Sequence, residues 1–129
     1  MEQTVIPAAL LARLLAEAAA RPAQEVCGLL FGSPDRVDTA EPTANVADDP
    51  ARTFEIDPAT LLRAYKAARA GGPQVIGHYH SHPFGSAVPS DRDWAAAEPG
   101  RLWLILADGA ARLWCANATG FEEWSIRMV

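Results

Sequence analysis

The sequence has few cysteines, no cluster of basic residues and no apolar run of membrane-spanning length. Only two cysteines, Cys27 and Cys115, occur in 129 residues, which excludes a disulfide framework and suits a reducing cytoplasm. The 11 lysines and arginines are scattered among 16 acidic residues, for a formal net charge of −5. Nucleic acid and anionic membranes are therefore not expected as partners. The N-terminus carries Glu2 without a basic lead-in, so we expect no signal peptide and a cytoplasmic location.

The remaining composition is that of an ordinary soluble globular protein. Hydrophobic residues make up 50% of the chain and charged residues 21%, and this length suits one domain, residues 1–129, with a single core. A helix is predicted over 8–20 by apolar residues at helical spacing. A second helix should begin at Asp57-Pro58, with a capping side chain followed by proline, and end at Gly71-Gly72.

Strands are predicted between and after these helices, bounded by turn residues. They cover residues 25–31, 37–41, 53–56, 74–82, 101–107, 112–116 and 121–128, with a short helix over 90–97. The alternation of strands and helices predicts an α/β fold, a single-domain mixed β-sheet flanked by helices.

The segment HSHPFGSAVPSDRD, residues 80–93, has the residue types of a metal site. His80 and His82 lie on one side of an extended strand, with backbone positions about 6.6 Å apart, so both rings can approach one ion. The following loop returns Asp93 to them. Two imidazoles and a carboxylate leave a fourth position for water, which is typical of catalytic zinc sites. We therefore predict His80, His82 and Asp93 as zinc ligands.

Two further residues are candidates for the chemistry beside such an ion. Glu25 opens an apolar strand, where an acidic residue is otherwise an odd choice, and its carboxylate could accept a proton from water and pass it to a leaving amine. The Ser90 hydroxyl could donate a hydrogen bond to an oxyanion, a contact whose loss typically costs about 10²- to 10³-fold in rate.

Each of these residues has a simpler interpretation. Ser90-x-x-Asp93 before an apolar residue is also a capping box, a common helix start. Glu25 could be an exposed residue at a strand start, and His80 and His82 a solvated strand face. It is the occurrence of all five residues together that favours a catalytic metal site.

Taken together, Glu25 within EVCGLLFG, His80-Ser81-His82-Pro83, and Ser90-x-x-Asp93 resemble the complete motif of the JAMM (MPN-plus) metalloenzymes. The resemblance covers most of the chain. It implies a JAMM/MPN architecture, similar to cytidine deaminases, and zinc-dependent hydrolysis of peptide or isopeptide bonds with one zinc ion per chain. By motif position, it implies ligand roles for His80, His82 and Asp93, and catalytic roles for Glu25 and Ser90.

The chain resembles the compact prokaryotic branch of this family, because it lacks the long insertions of eukaryotic deubiquitinases. That branch acts on the C-terminal tails of ubiquitin-like sulfur-carrier proteins or on small conjugates to those tails. We expect cleavage of an amide bond after an extended tail that adds as a strand beside a sheet edge. His78, on the face of His80, is expected to be a surface histidine, and Cys27 a buried structural cysteine.

Rival functions come from other classes of protein. A zinc nucleobase deaminase would need HxE and PCxxC motifs, and a zincin protease HExxH; all three are absent. A catalytically silent MPN-type scaffold or interaction module is the remaining alternative, because such domains also occur without their ligands.

Overall fold

The computed structural model describes residues 2–129, which form seven strands and three helices. In chain order these are β1 (Gln3–Ile6), α1 (Ala8–Ala20), β2 (Cys27–Ser33), β3 (Arg36–Thr43), α2 (Pro58–Arg69), β4 (Val75–Ser81), α3 (Asp91–Ala96), β5 (Leu102–Ala107), β6 (Ala110–Asn117) and β7 (Gly120–Met128). None of these helices is long and apolar enough to cross a lipid bilayer.

The strands form one mixed sheet that closes on itself in the order β1-β3-β2-β4-β5-β6-β7. The short strand β1 closes it, because it pairs in parallel with both β3 and β7. β4 and β5 are also parallel neighbours, so the chain must cross over between them, and α3 lies in that crossover. The carboxyl end of β4 is thereby brought next to the start of α3.

Apolar residues on the two faces of the sheet form separate clusters. The apolar stripe of α1, with Leu10, Leu11 and Leu14, packs against one face in the main core. Alternate strand residues point the other way, so Leu30 lies in the main core while Leu29 packs with α2. The sheet therefore has a helix on each face, in agreement with the predicted fold class.

Most predicted elements are confirmed. α1 covers Ala8–Ala20, and α2 begins after Asp57, whose side chain accepts a hydrogen bond from the Ala59 amide, with proline in the first turn. The two-residue turn at Asp108-Gly109, both with positive φ, joins β5 to β6 as expected for a tight hairpin.

One predicted strand does not form, and another begins later than predicted. Residues 53–56 do not form a strand: Ile56 makes one isolated bridge with Asn45, within the segment that crosses from β3 to α2. We call residues 44–57 the strap. β2 begins at Cys27 rather than at Glu25, because the chain at Glu25 pairs with the strap instead of a neighbouring strand. The strand β1 was not predicted, since four residues give too short a pattern.

Candidate active site

The structure brings the three predicted ligands into direct contact. The Nε2 atoms of His80 and His82 are 3.0 Å apart, and Asp93 Oδ2 lies 3.3 Å from the first and 3.1 Å from the second. All three side chains are shielded from solvent: the exposed fraction is 0% for His80, 9% for His82 and 6% for Asp93. His80 lies in β4 and His82 directly follows it, with its amide bonded to the Leu106 carbonyl of β5, so alternation points both imidazoles to the same face. The crossover brings Asp93 to them.

These distances fit a single zinc ion. Ligand atoms about 2.0–2.2 Å from zinc at tetrahedral angles lie roughly 3.3–3.6 Å from one another. The three observed separations are at or slightly below that range, so small movements would place an ion in contact with all three atoms. Two neutral imidazoles and a carboxylate are also a donor set that zinc accepts readily.

The helix start at α3 fixes the position of Asp93. The Ser90 hydroxyl oxygen accepts a hydrogen bond from the Asp93 amide at 3.1 Å, and Asp93 Oδ2 accepts one from the Ser90 amide at 2.9 Å. This is the reciprocal capping box that the sequence allowed. The same carboxylate oxygen contacts both histidines, so the capping box and the ligand cluster are one structure rather than alternatives.

The ionisation of His80 and Asp93 suits metal binding. At His82 burial is outweighed by the hydrogen bonds to Asp93 and Ser86, which raise the pKa, so zinc would compete with a proton there. Burial lowers the pKa of His80, which keeps its imidazole neutral. Burial of Asp93 is outweighed by the hydrogen bonds from His80 and His82, so the pKa of this carboxyl is well below its usual range. Neutral imidazole and ionised carboxylate are the forms that bind zinc.

Glu25 lies beside the two histidines. A carboxylate oxygen of Glu25, one ring nitrogen of His80 and one of His82 all lie within 4.8 Å of one another. Glu25 is buried, with 6% of its surface exposed, and Oε1 has no hydrogen-bond partner among residues 2–129. Burial, with a contribution from Asp93, raises the pKa of Glu25 to about 7. Asp93 is nearer to the histidine nitrogens, so we treat Glu25 as a neighbour of the ligand set.

Comparison with known proteins agrees with this geometry. The family model described as prokaryotic homologs of the JAB domain matches residues 7–127. This chain belongs to that family. The resemblance to JAMM/MPN proteins in the sequence is therefore confirmed.

Curated relatives of this JAB domain share about a third of their residues with it. The desampylase of Haloferax volcanii is 38% identical over 115 residues, which are 84% of this chain and 81% of that protein. The desampylase of Pyrococcus furiosus is 34% identical over 92 residues, 70% of this chain and 65% of its own length. A probable TtuB-protein conjugate cleaving protease of Thermus thermophilus is 36% identical over 68% of this chain and 59% of that protein.

Solved structures support the fold assignment. A protein from Desulfitobacterium hafniense, solved in solution, matches with a TM-score of 0.84 and 29% identity, over 98% of this chain and 92% of its own. A JAB1/MPN domain protein from Archaeoglobus fulgidus matches with a TM-score of 0.62 and 24% identity, over 99% and 98% of the two chains. At that lower identity the second match bears on the fold alone.

His78 of the JAB domain was expected at the surface, and the structure shows it half-buried. Its ring packs between Phe54 and Trp103, with centroid distances of 5.0 and 4.3 Å. Its Nε2 atom is shielded from solvent and has no hydrogen-bond partner among the described residues. Burial lowers the pKa of His78 to about 3, so it is neutral. Strand alternation placed it on the correct face, but the strap that covers this face is distant in sequence.

Cys27 of the JAB domain is fully buried, as expected. Its Sγ lies 3.5 Å from Thr43 Oγ1, and burial raises the pKa of the thiol. A buried, protonated thiol that contacts a hydroxyl is a packing group rather than a reactive one.

Three residues that support the site were missed by sequence reasoning. Phe54 stacks on His80, the Asn45 side chain bonds the Glu25 carbonyl, and the Ser81 hydroxyl accepts a hydrogen bond from the Val26 amide at 2.9 Å. Phe54 and Ser81 lay in predicted strands, whereas Asn45 lay in no predicted element. Nothing in the local pattern around Asn45 or Ser81 distinguishes these residues from ordinary polar residues.

A cleft of about 570 Å³ reaches the site from the side of α2 and the strap. It extends to Asp93, and Phe54 and His78 line it. Other apolar lining residues are Leu29, Ile56, Leu61, Tyr65, Val75 and Trp103, and the charged lining residues are Glu55, Arg92, Glu98 and Arg101. An extended chain segment in this cleft would therefore approach the ligand cluster.

Proposed function

We propose that this JAB domain is a zinc-dependent isopeptidase, or metallopeptidase, that hydrolyses an amide bond at the C-terminal tail of a ubiquitin-like or sulfur-carrier protein, or of a small conjugate to it. The observation that carries this proposal is the cluster of two Nε2 atoms and Oδ2, 3.0–3.3 Å apart, with an unpartnered buried carboxylate beside it. The relatives named desampylase and conjugate cleaving protease support the substrate class.

The roles of the residues follow from their positions. His80, His82 and Asp93 would hold one zinc ion, which when bound lowers the pKa of a coordinated water to about 7 and polarises a carbonyl oxygen. Glu25 would take a proton from the attacking water and deliver it to the leaving amine. Its raised pKa, about 7, suits both transfers near neutral pH.

The Ser90 hydroxyl would stabilise the developing negative charge on the substrate carbonyl. Its oxygen accepts the Asp93 amide hydrogen, which leaves its own O–H free to donate. A hydroxyl can do both at once, so the capping role and the proposed catalytic role are compatible.

The structure offers more than one place where an extended tail could pair as a strand. Within residues 2–129 the strands close into a barrel, but β1 pairs with β3 only at Val5 and Arg36, so the rest of the outer edge of β3 has no partner strand. The cleft along the strap is the place that reaches Asp93. We place the tail in the cleft along the strap, where the backbone N–H and C=O of Phe54 bond no other described residue. An extended segment could pair with these groups as strands do.

The experiment that tests the function is a release assay. Purified protein is incubated with carrier-protein conjugates, and the freed carrier and attached group are measured by mass spectrometry, with and without a zinc chelator. We expect zinc-dependent release that Glu25→Gln lowers by about 10²- to 10⁴-fold. Glu122→Gln, on the exposed face of β7, is the matched control and should leave the rate unchanged.

The opposite outcome has a specific meaning. Retained zinc without turnover, and no effect of Glu25→Gln on any conjugate, would assign this chain to the silent scaffold class instead.

A further inference from the structure

Asn45 lies opposite Glu25 at the point where two strands end. β2 and β3 are antiparallel with Cys27 paired to Thr43, and continuing that register places Glu25 opposite Asn45. Regular pairing has stopped there, and the Asn45 side chain supplies the bond instead: its Nδ2 donates to the Glu25 carbonyl at 2.9 Å. The side chain thus continues the ladder by one step.

The amide of Asn45 uses both its donor and its acceptor side. Besides the bond to Glu25, Nδ2 donates to the Thr53 carbonyl at 3.0 Å. Oδ1 accepts from the Ala47 amide at 3.0 Å and from the Glu55 amide at 3.1 Å. Four hydrogen bonds are the full capacity of one carboxamide. One side chain therefore ties both ends of the strap to each other and to Glu25.

Few other bonds fix the main chain at Glu25. Its amide donates to the Pro50 carbonyl, also in the strap, at 2.7 Å. The next residue, Val26, exchanges two bonds with Ser81: its amide donates to Oγ at 2.9 Å and its carbonyl accepts from the Ser81 amide at 3.0 Å. Both bonds to the main chain of Glu25 itself come from the strap, which has no regular strand pairing of its own. Glu25 is therefore held in place by the strap, and Asn45 holds the strap.

We propose that Asn45 is a positioning residue that sets where the Glu25 carboxylate lies relative to His80 and His82. Its action passes through the Glu25 main chain, so it touches neither substrate nor metal. This inference rests on the proposed role of Glu25 in proton transfer. A misplacement of about 1 Å at a reacting group can cost on the order of 10² in rate, so loosening this contact should be visible in kcat.

The test compares Asn45→Asp with the same change at Asn117. Aspartate can keep the two acceptor bonds of Asn45 but cannot donate to Glu25 or Thr53. Asn117 only accepts, from the amide and hydroxyl of Thr119, so Asn117→Asp loses no bond. We expect Asn45→Asp to lower kcat about 10- to 100-fold, with KM changed less than about 2-fold. Asn117→Asp should leave both constants unchanged.

A double-mutant cycle separates positioning from general loosening. In a Glu25→Gln background, measured by single-turnover release, Asn45→Asp should lower the rate by less than about 2-fold, because its target is already lost. An equal loss in both backgrounds would overturn the proposal. Asn45→Ser is the neutral second variant, which removes any effect of the added charge, and it must show the same pattern.

A readout without substrate keeps this inference distinct from the proposed function. Amide hydrogen exchange by NMR should show the Glu25 amide exchanging at least about 10-fold faster in Asn45→Asp and Asn45→Ser than in wild type, with β5 and β6 amides unchanged. Unchanged exchange at Glu25 would overturn the positioning role. If wild type cleaves no conjugate, the proposed function fails, and the exchange data still decide whether Asn45 holds Glu25.

Discussion

Phe54 lies face to face with His80, with ring centroids 4.3 Å apart and planes inclined by 21°. The two predicted histidine ligands are oriented by different means. The His82 ring donates from Nδ1 to the Ser86 carbonyl at 2.7 Å, whereas His80 Nδ1 has no partner among residues 2–129. The plane of the His80 ring is therefore set by packing, and Phe54 provides the stacked face.

Replacing Phe54 should lower the affinity for zinc. Phe54→Leu keeps apolar burial but removes the flat face, so we expect zinc affinity to fall about 10-fold, as for loss of other groups that orient ligands. The measurement is competition with a chelator of known affinity. Phe121→Leu is the matched control, since Phe121 packs on Trp94 and Trp103 but is in no ring contact with a histidine. Equal affinities in the two variants would contradict the orienting role.

Zinc content tests the ligand assignment directly. Protein purified without added metal or a histidine tag should contain close to one zinc per chain by mass spectrometry. His82→Ala and Asp93→Asn should lose it, because each removes one of the three charged or lone-pair donors that meet at the site. Asp91→Asn, on the exposed first turn of α3, is the control and should retain zinc. No metal in wild type after zinc is added back would favour the scaffold alternative.

The two roles assigned to Ser90 can be separated by two substitutions. Ser90→Ala should lose the cap, about 1 kcal/mol of stability, and the oxyanion donor, about 10²- to 10³-fold in kcat. Ser90→Asp should restore most of the stability, because aspartate caps helices well, but not the rate, because it cannot donate. Thermal melts and release assays on both variants check this. Full activity in Ser90→Asp would show that capping alone matters.

Without metal, the wild-type protein should lose stability relative to the Glu25→Gln variant as the pH rises. The pKa of Glu25 is raised from 4.5 to about 7 by burial, so the folded state favours the protonated form. This contribution is fully present below pH 4.5 and is lost as pH rises through about 7.

Thermal melts of chelator-treated protein at pH 5 and pH 8 measure this dependence. The melting temperature of Glu25→Gln minus that of wild type should increase by at least about 3 °C between the two values. His82, whose pKa Glu25 helps to raise, also contributes to this difference, and with the same sign. A difference that is independent of pH would contradict the raised pKa.

Part of this site can be predicted from the sequence, because it depends on interactions between residues that are close along the chain. Alternation along a strand puts His80 and His82 on one face whatever surrounds them. A serine three residues before an aspartate at a helix start forms a capping box by its own geometry, and this places Asp93 at the first turn of α3. The apolar stripe of α1 and the cap at Asp57 likewise depend only on neighbouring residues. These elements were therefore predicted close to their observed bounds.

Contacts between distant segments decided the rest. Barrel closure depends on β1 pairing with β3 and β7, and four residues carry too little pattern to show two partners. The strap determines the burial of His78, the stacking of Phe54 on His80 and the bonds of Asn45. Its partners in these contacts are distant in sequence, so no local pattern predicts them.

The sequence by itself determined which residues could hold a metal. It also determined which strand face and which helix start would present them, because these features depend on backbone geometry within a few residues. Only the tertiary structure decided that Glu25 lies beside the histidines. Val26 and Ser81, whose bond helps to hold it there, are 55 residues apart, and their contact depends on the pairing of β2 with β4. Such pairing reflects the packing of the whole sheet, which no local pattern records.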